Sequence, residues 1–111
     1  MQIAEMVHAA HDNSKRKGWW IGIEIPADTI PEKLALIHSE VSEALECYRE
    51  RRLVTEVSPE GKPEGLPSEL ADVLIRIADL CGALEIDLAA EVELKMAYNK
   101  TRAFRHGNKA C

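Results

Sequence analysis

Apolar positions recur along this chain at three- and four-residue spacing rather than at two. Ile3, Met6, Val7 and Ala10 follow that spacing between residues 2 and 16, and the pattern stops at Lys17-Gly18, which predicts a first helix. Residues 18 to 30 hold Trp19, Trp20, two glycines and Pro26, and read as a loop with bulky anchors. A second helix is expected from near Pro31, where a missing N–H is harmless, to about Arg51. The segment RLVTEVSPEGKPEGL, residues 52 to 66, has two glycines and two prolines and reads as a connecting loop. A third helix is expected from about Pro67-Ser68 to Leu80 or Cys81, stopping near Gly82. Asp87 is a suitable N-cap for a fourth, from 88 to about 104, and RHGNKAC, residues 105 to 111, reads as a frayed tail. Strand-like alternation is almost absent, so the expected class is all-α.

Helix positions advance by roughly 100° per residue, which assigns each charge to a face. On the second helix Leu36, Ile37, Val41, Ala44, Leu45, Cys47 and Tyr48 share a broad apolar arc. Glu40 falls inside that arc and Glu43 at its margin, while Glu46, Arg49 and Glu50 lie opposite, as a solvated face would. The third helix is apolar around most of its circumference and is expected to be buried on several sides. Its charges, Glu69, Asp72, Arg76 and Asp79, form one stripe. Carboxylates packed together repel and desolvate one another, so such a cluster calls for a cation. On the fourth helix Lys95, Asn99 and Arg102 share a face, with Tyr98 at its edge.

Composition narrows the class. A length of 111 residues, 46% hydrophobic and 30% charged, suits one folded domain spanning 1–111. Cys47, Cys81 and Cys111 are an odd set without CxxC spacing, which argues against a disulfide framework or a zinc knuckle and for reduced thiols. No apolar run reaches the roughly 18 residues of a membrane span, and the first residues lack a signal-peptide apolar region, so a soluble cytoplasmic protein with no membrane partner is expected. Fourteen basic against 19 acidic residues give a net charge of -5, which opposes binding to nucleic acid. Oxygen ligands without thiolate or imidazole select Mg²⁺, with Mn²⁺ also admitted, over zinc or copper. An acidic pocket takes a nucleoside triphosphate only through such a metal, with Lys95 and Arg102 neutralising the remaining charge and Asn99 adding a hydrogen bond.

The two acidic motifs, SEVSE with Glu40 and Glu43 and ELAD with Glu69 and Asp72, are followed by KMAYNKTR. In that order the chain, from about residue 31 to 104, resembles the MazG family of all-α nucleoside triphosphate pyrophosphohydrolases. Many members open the first motif with two consecutive glutamates, where this chain has Ser39 before Glu40. The resemblance implies a four-helix fold that assembles as a dimer or tetramer. It also implies cleavage between the α- and β-phosphates of a nucleoside triphosphate, giving a monophosphate and pyrophosphate in nucleotide-pool housecleaning. Glu40, Glu43, Glu69 and Asp72 are then the expected catalytic metal ligands, and Lys95, Asn99 and Arg102 the expected phosphate contacts. Trp19, Trp20 and His11 are candidates for the base, by likeness to related enzymes that use aromatic side chains from this region; the competing reading of the tryptophans is as anchors of a loop on the core. Arg76 and Asp79 are expected to orient the metal-ligating carboxylates.

Three other readings compete. A phosphoribosyl-ATP pyrophosphohydrolase cleaves a similar linkage, but the tryptophan loop fits a separate nucleotide pocket better. A di-iron bundle needs Glu-x-x-His on two helices, which neither acidic helix supplies. A non-catalytic interaction module dimerising through the third helix leaves the acidic stripe unexplained. His8 and His11 as a metal pair rank below the oxygen-rich site.

Overall fold

The computed structural model describes residues 1–23, 29–105 and 110. Four helices account for most of them: α1 (Ile3–Arg16), α2 (Thr29–Arg49), α3 (Leu66–Ala83) and α4 (Leu88–Thr101). Each sits where the apolar period placed it. α2 begins at Thr29, just before Pro31, and α4 opens under Asp87, whose side chain accepts from the Ala90 N–H at 3.1 Å. Glu24 to Asp28 and most of the expected tail, with Cys111, lie outside the described residues.

Three features differ from expectation, the first being that α4 stops at Thr101 rather than near residue 104. α3 runs through Gly82 to Ala83, and the absence of a side chain at Gly82 lets α1 come close. A Cβ on Gly82 would lie 2.5 Å from His11 Cβ. Within the 52–66 segment, Glu56–Val57 (β1) and Pro63–Glu64 (β2) pair antiparallel as a short hairpin. Arg52 secures it by a 2.7 Å ion pair to Glu64, and the Arg52 carbonyl accepts from Leu66 N–H at 2.9 Å as α3 begins. Gly65, at φ 111°, is required at that join, since any Cβ would collide with the Val54 carbonyl.

α3 is the central helix, with α2 and α1 packed against it and α4 docked chiefly on α1. The buried apolar set is Ala44, Cys47, Ala78, Leu80 and Cys81, and both of these cysteines are free thiols. No large side chain among the described residues is fully buried. Burial of α3 on several sides, expected from its composition, is not met within one chain: Leu70, Leu74 and Ile75 are about half exposed at 55%, 48% and 48%. On α2, Leu34, Val41, Leu45 and Tyr48 are also open. The radius of gyration of 16.5 Å exceeds the roughly 13 Å of a compact domain of this length. No described helix is long and apolar enough to cross a membrane.

Candidate metal and nucleotide site

α2 and α3 run side by side, and the one-face spacing of Glu40 and Glu43 turns both toward the first turns of α3, where Glu69 stands. Ligand oxygens of Glu40, Glu43 and Glu69 lie within 4.8 Å of one another. Glu40 is buried, Glu69 half-buried and Glu43 exposed. Asp72, one turn beyond Glu69, is exposed and stands outside this trio, though near enough for its charge to act on Glu69. Burial, then the neighbouring Glu43, then the charges of Asp72 and Glu40 hold the Glu69 carboxyl above the usual 4.5. Glu69 Oε2 is buried without a hydrogen-bond partner. A buried acceptor left unpaired costs free energy until a donor or a cation reaches it.

Arg76 supplies one internal countercharge. Its Nε donates to Glu40 Oε1 at 2.7 Å, with the guanidinium about two-fifths exposed and the carboxylate nearly buried. Arg76 thus forms an ion pair with one of the carboxylates it was expected to orient. Asp79 has other partners: Trp20 Nε1–H donates to both its oxygens, at 3.0 and 3.3 Å, and His11 Nδ1 lies 2.8 Å from Oδ1. An ionised carboxylate only accepts, so Nδ1 carries the proton and Nε2 is left to another partner. His11 and Trp20 also meet edge to face, with ring centroids 5.5 Å apart.

Some of these groups border a cleft of about 340 Å³ between α1, α2 and α3, though Glu43, Glu69, His11 and Trp20 are not in its lining. Glu40, Asp72 and Asp79 lie on its wall with Lys17, Lys33 and Arg76, and Trp19, 67% exposed, stands at its rim. Lys17 and Lys33 line the cleft without having been singled out by the sequence pattern. A signal existed for Lys33, which is seven residues before Glu40 and therefore on the same face of α2.

Lys95 and Asn99 on α4 and Arg102 at its C-cap are exposed to solvent and outside the lining of this cleft. Lys95 and Arg102 flank the Tyr98 ring at 5.8 and 5.7 Å. One chain therefore gathers Glu40, Glu43 and Glu69 closely, joins Arg76 to Glu40, groups His11 and Trp20 on Asp79, and leaves Lys95, Asn99 and Arg102 apart. The oxygen-only trio and the orphaned Glu69 oxygen fit a hard divalent cation, and among the described residues no histidine or cysteine joins the cluster. No family model, curated protein or solved structure matches this chain.

Proposed function

We propose that the protein is a metal-dependent nucleoside triphosphate pyrophosphohydrolase, which adds water across the α–β phosphoanhydride to release a nucleoside monophosphate and pyrophosphate. The observation that carries this reading is the convergence of Glu40, Glu43 and Glu69 from two helices around a buried oxygen that lacks a partner. The resemblance of SEVSE, ELAD and KMAYNKTR to the MazG family supports the same reaction.

Glu40, Glu43 and Glu69 would hold Mg²⁺ or Mn²⁺, with Asp72 at the open side. When bound, the metal supplies charge neutralisation for the triphosphate and polarises phosphorus for attack by water. A glutamate of the trio accepts the proton that water loses as its oxygen bonds to phosphorus and the bridging P–O bond breaks. Arg76 holds Glu40 by a 2.7 Å ion pair at the wall of the cleft. Trp19 at the cleft, with Trp20 fixed behind it by Asp79 and stacked edge to face on His11, would offer aromatic surface to a heterocyclic base.

Half-exposed leucines on α2 and α3, and the radius of gyration, support assembly with further copies of the chain. Assembly would also offer a way for the α4 cations of one protomer to meet the carboxylates of another.

The test is pyrophosphate release from a panel of ribo- and deoxynucleoside triphosphates, with Mg²⁺ and with chelator, identifying the nucleotide formed. Metal-dependent monophosphate plus pyrophosphate is expected. No turnover on any member, together with a melting temperature indifferent to Mg²⁺, overturns the reading in favour of an interaction module.

A further inference from the structure

The cations of the cleft differ in how they are held. Arg76 is engaged by Glu40, whereas Lys17 and Lys33 form no ion pair among the described residues. Lys33 is the more enclosed of the two, and its Nζ lies over the Trp20 ring, 4.5 Å from the centroid. An indole face offers a cation only its quadrupole, a weaker hold than the full charge and lone pairs of a phosphate oxygen. The ring itself is tied down, because its Nε1–H is shared between both oxygens of Asp79 and its neighbour His11 is bound to the same carboxylate. The lysine is therefore the mobile member of the pair, a point charge on a flexible four-carbon stem.

We propose that Lys33 is an exchangeable cap on the nucleotide site. Without ligand its ammonium covers Trp20. When a metal-bound nucleoside triphosphate enters, the ammonium transfers to a phosphate oxygen and uncovers the ring for the base. Lys33 then binds substrate by its polyphosphate and couples that contact to readiness for the base. The inference rests on the nucleotide reading above, and it assigns the contact within one chain to α2 rather than to α4. Two turns of helix, about 10 Å of rise, separate Lys33 from Glu40, so the cap and the metal ligand stand at different points along one face.

The experiment follows Trp20 emission in a Trp19→Phe background, leaving one indole in the chain. The probe is inorganic tripolyphosphate with Mg²⁺, which has phosphate but no base. With Lys33 present, tripolyphosphate is expected to change Trp20 emission as the ammonium leaves the ring. In Lys33→Met that change should vanish, and KM for a hydrolysed nucleoside triphosphate should rise by about ten-fold or more with kcat nearly constant. Lys33→Arg should recover most of the affinity. An equal Mg²⁺-induced rise in melting temperature in Lys33→Met and the parent would establish that fold and metal site are intact. An emission change that persists in Lys33→Met, a silent Trp20 in the parent, or an unaltered KM overturns the cap. If turnover is absent on every triphosphate while tripolyphosphate still moves Trp20 only when Lys33 is present, the cap stands and the pyrophosphohydrolase reading falls. If turnover is present and Lys33→Met matches the parent, the reverse holds.

Discussion

Glu69 binds its proton more tightly in the folded, metal-free chain than in the unfolded one, since burial and the neighbouring carboxylates raise it above 4.5. Linkage sets the sign. Between 4.5 and the raised value the native state holds more protons than the unfolded state, so metal-free stability falls as pH rises through that window and stays lower above it. Glu69→Gln removes the titration. In chelator, the variant should gain in melting temperature over the parent as pH rises through the window, then keep a constant lead. A difference that does not vary between about pH 4 and about pH 8 would count against this environment for Glu69. Much of the site was legible at this scale, because Glu40 interrupts an apolar arc and Glu69 lies in a charged stripe on an otherwise apolar helix. The partners of Asp79 were not. Its bonds to His11 and Trp20 span 68 and 59 residues, and helical periodicity carries no information on which distant side chain will arrive. Lys33 escaped notice for another reason: a lone lysine on an amphipathic helix reads as solvated until the wall it faces is known.

Helix existence followed from the 3.6-residue period, while one helix end and one helix contact followed from Gly82. Read locally, that glycine is a stop signal. In the fold it is a close-approach point, its missing Cβ letting α1 bring His11 to Asp79. Two effects compete on substitution. Gly82→Ala gains roughly 0.5–1 kcal/mol of helix propensity, but it drives a methyl group against the His11 Cβ, where overpacking costs about 1–3 kcal/mol. The nearest atom in conflict is the His11 Cβ, fixed directly to the α1 backbone rather than at the end of a flexible side chain, so the steric cost should dominate. Gly82→Ala is expected to lower the melting temperature by several degrees and to perturb the His11–Asp79 contact, visible as altered imidazole resonances. A variant more stable than the parent would show that α1 can shift freely. The hairpin was missed because Pro59, Gly61 and Pro63 mark a turn without revealing that two residues on each side will pair.

At the scale of the molecule, the large apolar side chains outnumber the places one chain has to bury them. The buried set is mostly small, with Ala44, Cys47, Ala78 and Cys81 beside Leu80, and Val41, Leu45, Leu70 and Leu74 remain about half exposed. Self-association should complete that core. Sedimentation or light scattering is expected to give a mass of two or four chains, with a melting temperature that rises with protein concentration. Leu45→Glu should shift the population toward single chains and lower stability. A monodisperse single chain with a concentration-independent midpoint would leave the open face to a different partner.

The pairing of Arg76 with Glu40 bears on the order of events in the life of the chain. A site made only of carboxylates would wait on its metal to become tolerable, and folding and loading would be one step. Here a guanidinium already neutralises the most deeply buried of the three acids. On the proposed reading, a newly made chain would then reach its native shape while free magnesium is scarce and take up the ion afterwards. Arg76 would let biogenesis and activation be separate decisions.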